Sequence, residues 1–291
     1  MPLLSVWVAL SSALLHAVAN TTARSALRTA SPITASLMLV WIQWILFGLL
    51  LVPAGGFSNI NVVGLLLFCA AGLTSPLLFM VFFFTGIQRI GAARAATIKA
   101  AAPIYTVIFA VAFLGERPTA LRYLGIAAVM AGVLSLVWET EDKKDLVGRR
   151  SDYVFPLLAG VCAGVSAVLY KAGLSRMDTP LLSAWIGATE AVLLFPLVVR
   201  VFPKADRYRI GSRGAWLWLT LSGVASSGAV YCQILSIKLG EVSTAFTLAQ
   251  TSPLFVVLIS ALFLRELERV TPRVVLGALL TVGGGIMLSA F

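Results

Sequence analysis

Residues 91–116 read GAARAATIKAAAPIYTVIFAVAFLGE, and residues 241–266 read EVSTAFTLAQTSPLFVVLISALFLRE. Both stretches carry a proline and a glutamate 13 residues apart, with an apolar run between them. Each is followed by a polar turn and a second apolar run, which holds two glycines seven residues apart. A repeat of about 150 residues is too long for a solenoid unit, so it divides the chain into two halves. The matched residues are Pro103 and Pro253, Glu116 and Glu266, Gly125 and Gly277, and Gly132 and Gly284.

The composition is that of a membrane protein. Of the 291 residues, 59% are hydrophobic and 12% are charged, and the mean hydropathy is strongly positive. Soluble domains carry about 25% charged residues. The net charge of +10 does not indicate nucleic acid, because the basic residues lie in short connections between apolar runs. The cysteines have no metal-ligand spacing, so we expect no metal, disulfide framework or cofactor.

Ten apolar runs have about the 20 residues that a helix needs to cross a bilayer. They do not alternate apolar with polar residues, as the strands of a membrane barrel would. We expect the first run to be retained rather than cleaved as a signal peptide, because no positive charge precedes it. The predicted spans are residues 3–23, 32–52, 62–87, 92–114, 120–138, 153–173, 180–200, 214–236, 242–264 and 273–290.

Each half holds five predicted spans, so the second half must enter the membrane from the opposite side to the first. The predicted fold is therefore an all-α membrane protein of ten transmembrane helices, arranged as two inverted five-helix repeats. The repeats are residues 1–138 and 153–291, and a charged linker at 139–152 joins them. In transporters this arrangement places the binding site near the middle of the membrane, between the repeats.

The basic residues also predict an orientation. Counted together with the ends of the adjoining spans, the connections after the odd-numbered spans carry 16 Lys or Arg residues, whereas the other side carries five. Because cytoplasmic loops are enriched in Lys and Arg, the loops 139–152 and 201–213 are predicted to face the cytoplasm, with both termini outside.

The proline–glutamate spacing, the glycine pair and the five-plus-five duplication resemble the EamA-type drug/metabolite transporters, over essentially the whole chain. The resemblance implies a carrier with a central cavity, lined partly by the fourth and ninth spans. Such a carrier would move small metabolites across the plasma membrane, which is the inner membrane of a bacterium. The shared prolines, glutamates and glycines would then belong to the scaffold. The resemblance does not identify the solute.

Two charged residues lie well inside predicted spans, where insertion scales give a cost of about 2.5–3.5 kcal/mol at a helix centre. Lys99 lies four residues before Pro103, on a helix face of small and polar residues, and Glu190 is near the middle of the seventh span. One hypothesis is that they face each other across the cavity, so that an anionic solute competes for Lys99 and frees Glu190 to take up a proton. The alternative is that they pair only to satisfy both charges.

Further polar and aromatic residues follow single helix faces, which predicts a cavity with one polar and one aromatic wall, suited to an amphipathic solute. The alternative is ordinary helix packing, with serine and threonine hydroxyls bonded to their own backbone. A proton-relay role is a further hypothesis for the lone histidine. The candidate residues are His16, Asn20, Phe79, Phe82, Gln233, Thr247 and Gln250, with rows that include Ser5, Ser12, Ser222, Ser226 and Ser236.

Pro103 and Pro253 interrupt helical hydrogen bonding in the fourth and ninth spans. A kink at each proline could let the span bend as a gate. A static kink is the alternative.

The chain has no GxxxxGK[ST] phosphate-binding loop, so a gradient or an exchange reaction would have to supply energy. The leading hypothesis is a secondary-active exporter of a small amphipathic metabolite, with protons as a coupling partner and the lipid bilayer as its surroundings. The first alternative is an exchanger or flippase for an anionic solute or lipid head group. A membrane enzyme or an assembly protein are weaker alternatives, and a homodimer remains open.

Overall fold

The computed structural model describes residues 3–27, 29–54, 60–90, 95, 98–138, 150–200, 212–263 and 272–290. Most of the predicted linker (139–149), most of the second basic loop (201–211) and Glu266 lie outside these residues. A kinked segment, Leu73–Leu78, in which Ser75 has an extended backbone (φ −148°, ψ 119°), joins the helices Val62–Gly72 and Phe79–Ile90. The α-helices within the described ranges are α1 (Leu3–Ala26), α2 (Pro32–Leu51), α3 (Val62–Gly72), α4 (Phe79–Ile90), α5 (Ala102–Leu114), α6 (Ala120–Trp138), α7 (Val154–Leu174), α8 (Pro180–Arg200), α9 (Arg213–Leu239), α10 (Val242–Ala249), α11 (Ser252–Phe263) and α12 (Pro272–Ala290).

The all-helical class is confirmed. Seven described segments are long and apolar enough to cross a membrane, and three shorter apolar helices fall at the fourth, fifth and tenth predicted spans. The number of ten spanning helices therefore stays a prediction. Large apolar side chains cover the outside of the bundle: Trp7 is 66% exposed, Phe113 is 74% exposed and Leu217 is 70% exposed. Such an apolar surface is suited to lipid rather than to water.

Several helix ends follow from single residues. The side chains of Ser31, Asn61 and Ser212 accept hydrogen bonds from backbone N–H groups in the first turns of α2, α3 and α9. These groups have no partner within the helix, and short polar side chains at this position supply one. The helix α5 ends at Gly115, whose φ of 67° lies in the left-handed region that glycine adopts without steric cost.

The helices α1 and α9 pack antiparallel through small residues. Ser5 Oγ donates to the carbonyl oxygen of Ser236 (3.0 Å), and Ser12 Oγ donates to that of Ala229 (2.8 Å). From the opposite helix, Ser222 Oγ donates to Ala19 O (2.8 Å). Interhelical bonds of this kind replace the hydrophobic effect as a source of helix association in a membrane.

The counterpart helices of the two halves run in opposite directions. At the end of the bundle where Ser5 contacts Ser236, α1 begins and α9 ends. The last turn of α7 is at the same end, because Lys171 Nζ donates to the carbonyl oxygen of Ile237 (2.8 Å). Since α1 begins where α7 ends, these two helices are inverted relative to each other. This is the relation that the odd number of spans per half predicts.

The repeated glycine pairs lie at one helix crossing, between α6 and α12. A Cβ on Gly284 would stand 2.6 Å from the carbonyl oxygen of Gly125, and a Cβ on Gly132 would stand 2.6 Å from that of Gly277. Ordinary carbon contacts are about 3.5–4.0 Å. The backbones can approach this closely only because Gly125, Gly132 and Gly284 lack side chains, so the predicted scaffold role of these glycines has a physical basis.

Candidate translocation site

Three of the predicted site residues lie close together. The Lys99 ammonium stands over the ring of Phe79, 5.6 Å from its centroid, and His16 is within electrostatic range of it. A cation over an aromatic face is attracted by the ring quadrupole. Lys99 and Phe79 therefore form one charged and aromatic surface. His16 is held by its own helix, with Nδ1 3.1 Å from Ser12 O.

Glu190 lies elsewhere, where α8 crosses α3. Its carboxyl group rests on Gly72, and a Cβ at that glycine would collide with Glu190 Oε2. Cys69 of α3 and Tyr170 of α7 are near enough to interact with it electrostatically. Glu190 Oε2 is buried and has no hydrogen-bond partner in the described part of the chain.

The predicted pairing of Lys99 with Glu190 is not formed. Both side chains are described, and among the described ion pairs none joins them. The reason is that they face different neighbours: Lys99 faces α4 and α1, whereas Glu190 faces α3 and α7. The two charges therefore need separate explanations.

The rows of small polar residues serve helix packing more than a cavity wall. Ser5, Ser12 and Ser222 bond to the backbone of the facing helix, an arrangement that differs from both alternatives of the sequence analysis. Thr247 does bond back to its own helix, with Oγ1 2.6 Å from Ser243 O.

The remaining candidates keep some exposure. Asn20 is exposed on α1, Phe82 is half-buried on α4, and Gln233 on α9 and Gln250 after α10 are half-buried. Within the described residues, neither glutamine side chain forms a hydrogen bond to protein.

Both repeat prolines lie at breaks in their spans. Pro103 is the second residue of α5, after a turn at residues 100–101, and Pro253 is the second residue of α11, after a turn at residues 250–251. Proline suits the start of a helix, where its missing N–H has no partner to lose. Lys99 and Gln250 therefore flank the same kind of break in the two repeats. The gate role of these prolines stays a prediction.

A charged cluster between the two halves escaped the sequence analysis. Glu116 accepts hydrogen bonds from Val242 N (2.5 Å), Ser243 N (3.1 Å) and Ser243 Oγ (2.6 Å). Its carboxylate thereby caps the start of α10, where N–H groups and the helix dipole favour negative charge. Glu116 belongs to the first half and α10 to the second, so this contact ties the halves together.

Two more bonds complete this charged cluster. Arg122 Nη1 donates to Glu241 Oε2 at 2.5 Å, and the Arg122 side chain is only 9% exposed. Lys171 Nζ donates to the carbonyl oxygens of Ile237, Lys238 and Gly240 at 2.8, 3.1 and 2.7 Å. These side chains line a cavity of about 530 Å³ at the end of the bundle. One sequence signal for this cluster was available: Glu116 lies 13 residues after Pro103, the same spacing as that between Glu266 and Pro253.

Comparison with known proteins identifies this architecture. The profile of the EamA-like transporter family matches residues 3–138 and, a second time, residues 151–290. The chain belongs to the EamA-like transporter family. The family profile thus covers the chain in two repeats, and the apolar character of the helices agrees with membrane transport.

Two relatives of this EamA-like transporter add detail. A stretch of 84 residues, 29% of the chain, is 33% identical to an uncharacterized transporter, YcbK, of Bacillus subtilis (strain 168). That stretch spans only 26% of the length of YcbK. A protein of known crystal structure aligns over 98% of this chain and 96% of its own, with a TM-score of 0.79 and 18% identity. The second likeness shows the fold alone.

Proposed function

We propose that this membrane transporter is a secondary carrier that exports a small amphipathic metabolite with an acidic group, along a central path between its two repeats. The observation that carries the proposal is the placement of Lys99 beside Phe79 inside the bundle. No carboxylate pairs with Lys99 among the described residues. A charge within a span costs about 2.5–3.5 kcal/mol at a helix centre, so an unpaired ammonium there indicates function.

Each group of the site contacts a different part of the proposed solute. The ammonium of Lys99 binds a carboxylate or phosphate, and the ring of Phe79 packs on the apolar part. The amides of Gln233 and Gln250 are open to polar groups of the same solute. The breaks before Pro103 and Pro253 give the spans that carry Lys99 and Gln250 a place to bend. A proton gradient is the proposed energy source, with the basic loops 139–152 and 201–213 in the cytoplasm and the chain in the bacterial inner membrane.

The test uses the purified full-length protein in lipid vesicles. The vesicles are loaded with a pool of radiolabelled aromatic amino acids and aromatic carboxylic acids, and efflux is followed with and without a proton gradient. The wild type should release part of the pool, whereas Lys99→Ala should release none of it. The control is Lys238→Ala, because Lys238 pairs with Asp178 at the end of the bundle, away from the proposed path. Equal efflux from wild type and Lys99→Ala would exclude Lys99 as the solute contact.

The same vesicles test the alternative of an exchanger or flippase, which the cationic Lys99 also favours. Efflux that requires solute on the opposite side of the membrane would indicate exchange. Movement of a fluorescent anionic lipid between the leaflets, without efflux of the pool, would indicate a flippase.

A further inference from the structure

The contact around Glu190 joins the two repeats through their backbones. Gly72 belongs to the first repeat, and Gly187 and Glu190 belong to the second. The Cα of Gly187 is 3.0 Å from the place where a Cβ on Gly72 would stand, so the two helices touch where both lack side chains. The Glu190 carboxyl group lies against Gly72 in the same crossing. Any movement that separates α3 from α8 therefore uncovers this carboxyl group.

The packing of this carboxyl group fits its neutral form. Glu190 Oε2 is buried without a hydrogen-bond partner in the described part of the chain. Glu190 as a whole is half-buried, but its Oε2, if ionised, loses hydration and gains no cationic donor, whereas a protonated group has less to lose.

The groups that face Glu190 supply no cation to pair with it. The titratable ones are Cys69 from α3 and Tyr170 from α7, and neither carries a positive charge. The neighbouring hydroxyl of Thr189 is already engaged, because it accepts a bond from Trp44 Nε1 of α2 (3.1 Å) and donates to Trp185 O (2.7 Å). No arginine or lysine forms an ion pair with Glu190 within the described ranges.

We propose that Glu190 is the proton-binding site of the carrier, and that its proton is held only while α3 and α8 are packed at Gly72. This inference rests on the proposed function, since a coupling site has meaning only in a gradient-driven carrier. When the repeats separate at this crossing, water reaches the buried Oε2, and the carboxyl group transfers its proton to that water and ionises. When they close again, it must first take a proton from water. Proton occupancy and the arrangement of the repeats thus depend on each other, which is the condition for coupling.

Infrared spectroscopy tests the site without any solute. The difference spectrum of the purified protein between low and high pH should contain a C=O stretch at the high frequency of a carboxyl group with few hydrogen bonds, apart from the band of the exposed carboxyl groups. Glu190→Gln should lack this band while keeping the rest of the spectrum, since glutamine has the shape of the protonated side chain. The control is Asp178→Asn, because Asp178 is 73% exposed and pairs with Lys238, and it should keep the band. A band unchanged in Glu190→Gln overturns the proposal.

A second pair of variants covers the case in which Glu190→Gln does not fold. Gly72→Ala keeps the glutamate but places a methyl group where its carboxyl oxygen lies, so the band should shift or disappear. Gly283→Ala is the control, because a Cβ there meets nothing within 4 Å, and the band should stay. An unchanged band in Gly72→Ala would also overturn the proposal.

Transport then tests the coupling. Vesicles containing a trapped pH dye and the pool of aromatic acids described above should show proton movement together with efflux. Glu190→Gln should lose the proton movement but retain exchange of the pool across the membrane. Equal proton movement in both proteins refutes the coupling role. If the wild type moves no solute at all, the proposed function fails for this pool, while the infrared band still decides whether Glu190 holds the proton.

Discussion

Two adjacent glycines of α12 should respond in opposite ways to the same substitution. A Cβ on Gly284 would stand 2.6 Å from the carbonyl oxygen of Gly125 and 2.7 Å from the backbone nitrogen of Val129, both on α6. These are backbone atoms and cannot move aside as a flexible side chain can, so α6 and α12 must separate by roughly 1 Å to restore contacts of about 3.5–4.0 Å. Overpacking of this kind costs about 1–3 kcal/mol or more. A Cβ on Gly283 meets nothing within 4 Å, so alanine there should stabilise the helix by about 0.5–1 kcal/mol.

The assay is thermal unfolding of the purified variants in one detergent, followed by tryptophan fluorescence. Gly284→Ala should melt below the wild type, and Gly283→Ala should melt at or slightly above it. Gly132→Ala should behave like Gly284→Ala, because its Cβ would meet the carbonyl oxygen of Gly277 at 2.6 Å. The two adjacent substitutions change the composition identically, so the difference between them isolates the helix crossing.

Equal melting temperatures for Gly283→Ala and Gly284→Ala would refute this reasoning. The crossing of α6 and α12 would then not depend on the missing side chains, and the seven-residue glycine spacing would need another explanation. A larger loss at Gly283 than at Gly284 would contradict the assignment of the two faces of α12.

Two further predictions concern the ends of the bundle. Glu116→Ala should lower the melting temperature, since the loss of a helix N-cap costs about 0.5–2 kcal/mol. Glu116→Gln should lower it less, because glutamine keeps a hydrogen-bond acceptor. Equal losses in the two variants would show that charge, not hydrogen bonding, matters at the start of α10. Single cysteines can be placed in the loops 139–152 and 201–213 of a chain without its natural cysteines. They should not react with an impermeant thiol reagent added from outside, because these loops lie on the side that carries 16 of the basic residues, which is predicted to be cytoplasmic. Rapid labelling of either loop would show that the chain has the opposite orientation.

The scaffold could be predicted from the sequence because its signals are local and occur twice. Pro103 and Pro253 take the same position in their helices, and the glycines after them meet at one crossing. Only glycine permits this backbone approach, so a repeated glycine indicates a close helix crossing. A periodic row of serines carries less information. The period gives the face on which Ser12 and Ser222 lie, but it does not say whether that face meets another helix or an open cavity.

The candidate site could be predicted only in part, because its contacts join distant residues. Spacing along one helix cannot show that Lys99 faces Phe79 and not Glu190. For the same reason the sequence did not predict the contact between Glu116 and α10, because the bonded residues are 126 and 127 positions apart. Charge alone was also misleading, since the hypothesis of a Lys99–Glu190 pair assumed that opposite charges within one bundle find each other.

The two inter-repeat carboxyl groups differ in the donors that surround them, and this difference separates their functions. Glu116 has a donor for each oxygen: Val242 N for Oε1, and the backbone and hydroxyl of Ser243 for Oε2. These bonds satisfy both oxygens of Glu116, so this contact can hold the repeats together. Glu190 Oε2 has no such donor within the described chain and lies against the bare backbone of Gly72. Of the two contacts, the one at Glu190 is the proposed proton site. A carrier that hinges near Glu116 and opens at Gly72 would couple movement of its repeats to a proton with no other charged group.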